Sequence, residues 1–255
     1  MDKGIYVALS GAVAQQSRLN MISNNLANAN STGFKSDGLL FESYLKKTEG
    51  SSGKEGDVPV FVRAESGYSD HSQGPVVETG HDLDIAIEGS GFFLLESEKG
   101  LLVTRNGHFK KGSGGYLETL EGRRVLGINK SGATEPLLLE TGGSFKVSSS
   151  GQVFTYQKDK DGNVRENNKG KLALIDFKGV YDLTKVQGSL FKVHSGDESI
   201  TPSKAMVKQG FLEKSNVNII QEMAHMITVT RGVETYQKMI RAYDEMKNTL
   251  ISQVP

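Results

Sequence analysis

The residues of this chain best suited to chemistry are few and scattered. Asp159, Asp161 and Asn163 alternate like the first oxygen donors of a calcium loop. The glycine such a loop requires stands early, at Gly162, two places before the sixth position, and no glutamate closes the shell at the twelfth position. A charged turn is the better account. The five histidines, His71, His81, His108, His194 and His225, show no metal-ligand spacing. Asp70, His71 and Ser72 are the residue types of a nucleophilic relay, but as chain neighbours their side chains diverge. Gly89-Ser90-Gly91 lacks the third glycine and following helix of a dinucleotide site, and no P-loop occurs. His71 or His81, near Asp82 and Asp84, is the best enzymatic candidate left. No convincing catalytic site emerges, and no cofactor or metal is expected.

Two kinds of element would have to position these residues. From about 80 to 195 the hydrophobic period is two: Leu83, Ile85 and Ile87 alternate, and short strands are expected at 92–95, 101–104, 116–119, 124–128, 137–139, 145–148, 152–156 and 172–177. Asn106-Gly107 reads as a type I′ hairpin turn, and the polar stretch 158–170 as an exposed loop. Earlier, Val58, Val60 and Val62 alternate as a strand after a polar Gly/Ser/Lys tract. Short strands with glycine-rich turns predict an irregular β-sandwich or barrel.

The second kind of element is helical and lies at both ends. Over 217–254 the apolar residues Ile219, Met226, Val229, Val233, Tyr236, Ile240, Tyr243, Leu250 and Val254 fall on a heptad interrupted only by Glu222 and Lys247. At 1.5 Å per residue such a helix is about 57 Å long. Residues 3–29 carry the same spacing: Ile5, Ala8, Ala12, Gln15, Leu19, Ile22, Leu26 and Ala29. Two like patterns at opposite ends predict one long α-helical coiled coil with everything else inserted between them. Ile220, Met223 and Ile227, then Met239 and Met246, widen the C-terminal seam beyond what one partner covers. That surplus predicts self-assembly. Asn24, Asn25, Asn28 and Asn30 weaken the end of the first helix. Gly33 suits a left-handed C-cap and Phe34 an apolar anchor. A helix this marginal is expected to be ordered by packing in an assembly.

Composition removes several function classes. The chain has 255 residues, zero formal net charge and no cysteine, so neither a basic field for nucleic acid nor thiolate chemistry is expected. No segment reaches the ~20 apolar residues of a membrane span, and no cleavable signal is visible: the longest apolar run near the start is 5–9.

Three stretches resemble a known family. SNNLANANSTGFK, at 23–35, is similar to the signature of bacterial flagellar axial proteins of the rod and hook. DLDIAIEGSGFFLL, TRNGHF and GYLETLEGRRVLG resemble the β-domain motifs of basal-body rod subunits, and GFLEKSNVNIIQEMAHMI, at 210–227, resembles their closing motif. The opening MDKGIYVALSGA is most similar to the proximal-rod members, with distal-rod members the close alternative. One departure is Arg231-Gly232-Val233, where the family has a helix former in place of the glycine.

The resemblance implies a structural subunit of the flagellar basal-body rod, stacking helically through its terminal helices to transmit torque across the periplasm. It implies export through the flagellar type III apparatus without a cleaved signal. The implied partners are copies of itself, other rod subunits and that apparatus, with no nucleic acid and no membrane insertion. The expected assembly interface is Ile5, Ala12, Leu19, Ile22, Asn24, Asn25, Leu26, Asn28, Gly33, Phe34, Ile219, Met223, Met226, Val233, Tyr236, Ile240, Tyr243 and Leu250. The expected architecture is α+β: a helical assembly domain from 1–35 and 213–255, a linker and β-hairpin region from 36–80 and 196–212, and an outer β-domain over 81–195. A hook-type axial protein and a secreted coiled-coil adhesin or binding module are the alternatives. An enzyme on a β-scaffold has the least support.

Overall fold

A computed structural model of the chain describes residues 2–45, 60–97, 101–139, 144–158, 164–177, 183–193 and 200–252. Val58, Asp159, Asp161, Gly162, Asn163, His194 and Val254 lie outside the described residues. Among the described residues there are two α-helices, α1 (Asp2–Ala27) and α2 (Ile219–Ser252), and the other named elements are β-strands. The chain folds as two compact units. One comprises Met1–Ala27, Asp37–Asp70 and Val217–Pro255, the other Asn28–Ser36 and His71–Asn216.

In the first unit α1 and α2 lie against each other and run in opposite directions. Gly4 faces Tyr243, Gly11 faces Tyr236 and Gln15 faces Gly232. Asn25 Nδ2 reaches Glu222 Oε1 at 3.5 Å. A long two-stranded hairpin, Asp37–Leu45 with Val60–Ser69, completes the unit, with a bulge between Leu40 and Phe41.

The expected coiled coil does not form. A coiled coil seats an apolar knob every three to four residues along both helices. Here the closest approaches are glycine to tyrosine, glutamine to glycine and asparagine to glutamate, and of the heptad residues Ala8, Ile22 and Val229 are buried. The tyrosine rings lie where a side chain would otherwise stand: a Cβ on Gly11 would come within 2.5 Å of the Tyr236 ring, and one on Gly4 within 2.9 Å of the Tyr243 hydroxyl. The heptad residues Ile5, Ala12, Leu19 and Leu26 are only partly buried, and Ile219 is 40% exposed. Heptad spacing marks an apolar stripe, but glycines on the neighbouring stripe admit the partner's rings there.

The second unit is the β-rich middle of the chain. Its strands are divided among several sheets. A six-stranded antiparallel sheet runs in the order Leu183–Gln187, Leu190–Val193, Leu102–Thr104, Phe92–Leu95, Leu174–Phe177, Ile200–Pro202. A five-stranded sheet runs Thr134–Pro136, Leu126–Ile128, Val164–Leu172, Gln152–Lys158, Ser144–Val147. Short two-stranded pairs join Ile85–Glu88 to Met206–Gln209, Val76–Glu78 to Phe211–Glu213, and Phe109–Lys111 to Leu117–Thr119. The Phe92–Leu95 strand explains the lack of polar alternation at its centre. Phe93 and Leu95 enter one hydrophobic cluster with Ile85, Ile87 and Val153, while Phe92 and Leu94 enter another with Val103 and Phe191. Successive residues of a strand point to opposite faces, and both faces are covered.

Two local expectations fail for physical reasons. The stretch expected as a loop overlaps the strand Val164–Leu172, whose first three residues are exposed and include Arg165 and Glu166, so no apolar alternation marks it. Asn106-Gly107 is not a hairpin turn, because Leu102–Thr104 and Phe109–Lys111 pair with other strands. Gly107 is required instead for close approach: a Cβ there would lie 1.6 Å from the Ile85 carbonyl oxygen.

The two helical glycines give opposite expectations. At Gly232 an added Cβ meets nothing closer than 3.6 Å, so Gly232→Ala raises stability by about 1 kcal/mol, the helix-propensity difference. At Gly11 the same change displaces the Tyr236 ring, and overpacking of roughly 1–3 kcal/mol outweighs the propensity gain. Thermal melts followed by the helical circular-dichroism signal check both signs.

Candidate functional site

The asparagine-rich segment after α1 is not a frayed end. Asn25 is 1% exposed, and its side-chain amide behaves as a strand edge toward Asp37. Asp37 N donates to Asn25 Oδ1 at 2.9 Å, and Asn25 Nδ2 donates to Asp37 O at 3.0 Å. α1 ends at Ala27. Asn28 Oδ1 accepts from the Ser31 hydroxyl at 3.2 Å, which holds the turn. Gly33 has φ +65, but it stands six residues beyond the helix end and is not its cap. A Cβ there would lie 2.4 Å from the Asn106 backbone nitrogen, so a side chain is excluded by both conformation and space.

The segment closes on the start of the C-terminal motif inside the second unit. Gly33 N donates to Glu213 O at 2.8 Å. Phe34 is 1% exposed, with Lys185 Nζ 3.7 Å above its ring centre. Lys35 is fully buried, and its Nζ donates to Glu213 Oε1 at 2.7 Å and to Ser72 O at 2.5 Å. The second Glu213 oxygen accepts from Arg105 Nη1 at 3.0 Å, and Gly74 N donates to Oε1 at 3.0 Å. Arg105 also donates to Gly89 O at 2.6 Å and lies over the Phe92 ring. Burial pulls the Arg105 guanidinium below its ordinary pKa, while the adjacent Glu213 charge pulls it back up.

Three charges are thus removed from water together, which is tolerated only where each is paired and hydrogen-bonded. Sequence reasoning missed Lys35, Arg105 and Glu213 as a group, since 178 positions separate the first from the last. The available signal was their position inside three separate motif stretches.

The expected interface residues divide by exposure. Ile22, Asn25, Gly33 and Phe34 are buried within the chain. Ile5, Ala12, Leu19, Leu26, Asn28, Met226, Val233, Tyr236, Ile240 and Tyr243 are partly buried. Asn24, Ile219 and Met223 are exposed, and the side chain of Leu250 lies outside the described residues. Along α2, Ile220 is 80% exposed and Ile227 57%, with Met239 and Met246 also open. An apolar stripe on α1, Tyr6, Leu9 and Val13, is exposed as well and went unnoticed in the sequence because it lies off the heptad.

Among the described residues, the candidates for chemistry do not assemble into a catalytic site. The His71 ring packs edge-on against Phe92 and Phe191, and Ser72 serves as an acceptor for Lys35 and Asn216. Asp84, 2% exposed, binds His108 Nδ1 at 2.5 Å and accepts from the Thr79 hydroxyl at 2.6 Å. The pair borders a cleft of about 440 Å³ that His81 and Asp82 also line. A carboxylate that orients an imidazole is half of a relay, but among the described residues no nucleophile is hydrogen-bonded to that ring.

Lys35→Met keeps the apolar stem and removes the charge, leaving Glu213 with Arg105 and the Gly74 amide. It costs about 3–5 kcal/mol, the usual penalty for breaking a buried pair, measured as a lower urea midpoint.

Comparison with known proteins agrees with this geometry. The model for flagella basal body rod proteins matches residues 5–35, and the model for the flagellar basal body rod FlgEFG protein C-terminal region matches residues 208–253. These matches contain the two sides of the Lys35–Glu213 pair. The chain is 28% identical to the flagellar basal-body rod protein FlgG of Bacillus subtilis, over 99% of each chain. It is 31% identical to FlgF of Mesorhizobium japonicum, over 99% of this chain and 100% of the relative. It is also 31% identical to FlgG of Agrobacterium fabrum, over 96% of each. The chain therefore belongs to the flagellar basal-body rod protein family, as a structural subunit of the rod and not an enzyme.

Proposed function

We propose that this rod subunit assembles through the solvent-facing sides of its terminal helices. The observation that carries the reading is the run Ile219, Ile220, Met223 and Ile227 on α2, all exposed, in a helix whose other side already meets α1. Exposed apolar surface on this scale marks an interaction site. Covering a side chain such as Ile220 stabilises by roughly 1.5–3 kcal/mol. Tyr6, Leu9 and Val13 on α1 supply a second apolar stripe. Asn24, Ile219 and Met223 form part of the interface, and the partly buried Ile5, Ala12, Leu19, Leu26, Asn28, Met226, Val233, Tyr236, Ile240 and Tyr243 form its margins.

Contacts between two different surfaces of one chain build an open helical tube where the rotation from one copy to the next does not close into a ring. The partners are copies of this chain and other flagellar rod components. The assembled tube carries torque across the periplasm, and the subunit reaches it through the flagellar export apparatus without a cleaved signal.

The double substitution Ile220→Asp, Met223→Asp removes the subunit from purified basal bodies and abolishes motility, while the monomer's circular dichroism stays unchanged. Basal bodies that still contain the double variant, detected by mass spectrometry, would refute the interface. In the free monomer, hydrogen exchange is faster in residues 4–27 than in the strands of the second unit, because the helical faces lack their partners. Equal protection of both would overturn this ordering on assembly.

A further inference from the structure

The backbone passes between the two units four times, at 27/28, 36/37, 70/71 and 216/217. Inside the second unit, the residues at the last three crossings are tied to one another. Ser36 N donates to Asn216 Oδ1 at 2.8 Å. Asn216 Nδ2 in turn donates to Ser72 O at 3.3 Å and to Ser72 Oγ at 3.1 Å. Just inward, the Glu213 carboxylate holds Lys35 and Gly74 N through one oxygen and Arg105 through the other. Lys35 returns to Ser72 O, and Arg105 continues to Gly89 O beside the six-stranded sheet.

We propose that Glu213 is a mechanical latch, which gathers the entering and leaving chain segments into one knot and passes force from them to the β-core. The reasons are geometry and dielectric. The segments 33–36, 72–74 and 213–216 share a single carboxylate and its neighbours, so a pull on any of them strains several hydrogen bonds at once. Bonds loaded together resist far more force than bonds opened one after another. Glu213, Lys35 and Arg105 are 1%, 0% and 3% exposed, so water is not at hand to replace a stretched bond, and the charged pairs are strong in that surrounding. Without the knot, force entering at these crossings would fall on short strands such as Phe211–Glu213 and Val76–Glu78, of three residues each. The relevance to torque rests on the rod function, whereas the latch itself is a property of the isolated chain.

The test is single-molecule pulling on the full chain, which has no cysteine of its own, so pairs of introduced cysteines define the loading direction. Handles at Gln16→Cys and Lys238→Cys load the segments on either side of the knot. Handles at Lys130→Cys and Glu166→Cys load only the five-stranded sheet. The expected result is that Glu213→Gln loses the high-force event in the first direction and leaves the rupture force in the second unchanged. If Glu213→Gln fails to fold, Lys35→Met takes its place with the same expectation, since it removes the charged tie of the 33–36 segment to Glu213 and to Ser72 O and keeps Arg105 paired. An equal fall in both directions would show that the carboxylate merely stabilises the fold, and an unchanged force in the first direction would show that the knot carries no load. Either result overturns the latch, and neither touches the rod function, which is judged separately by incorporation into basal bodies.

Discussion

A carboxylate taken out of water has to be compensated on every side, and the second unit is arranged around that requirement at Glu213. Its two oxygens receive an ammonium, a guanidinium and a backbone amide. Each donor comes from a different part of the chain: Lys35 from the segment after α1, Gly74 from the stretch before Val76–Glu78, and Arg105 from the end of Leu102–Thr104. Withdrawing any one of them leaves the buried carboxylate with a partner fewer and no water to replace it. The requirement also explains the glycines nearby. Gly33 must adopt positive φ to bring its amide to the Glu213 carbonyl. At Gly74 a Cβ would stand 2.1 Å from the Lys214 carbonyl oxygen.

The first unit relies on a different constraint, the close approach of two helices. Gly4 and Gly11 on α1 accept the rings of Tyr243 and Tyr236, and at the far end Asn25 reaches Glu222. Packing through rings over glycines covers one narrow strip and leaves the rest of α2 to solvent. The exposed run around Ile220 and Met223 is therefore a direct consequence of how the helices meet, and it is the surface to which assembly of a rod subunit falls. Asn25 shows the same economy of contact: its amide is engaged within the chain, by Asp37 and by Glu222.

Long, strongly periodic helices were legible in the residues, because apolar spacing held over dozens of positions fits the helical period and no strand runs that far. The short strands at 85–88, 92–95 and 152–158 were legible from their apolar runs and alternation over a few positions. The strand Val164–Leu172 was not, since its exposed half carries Arg165, Glu166 and Asn167 and looks like a loop. Asn106-Gly107 misled because the dipeptide fits a hairpin locally, whereas its glycine serves contact with Ile85. The sites offered by residue type, His71 with Ser72 above all, dissolved once the His71 ring was seen against phenylalanines.

From residues alone the chain was bound to helices at both ends and a β-rich middle, both of which follow from local pattern and composition. The motif stretches at 23–35 and 210–227 likewise identified the flagellar axial family before any contact was known. Tertiary structure alone decided that the heptad tyrosines Tyr236 and Tyr243 seat against glycines of α1 instead of against apolar knobs, and that Lys35, Arg105 and Glu213 share one buried site. The physical reason is that periodicity reports which side of an element avoids water, but not which partner covers it. A charge pair between distant positions leaves no periodic trace, and only folding brings its members within hydrogen-bond distance.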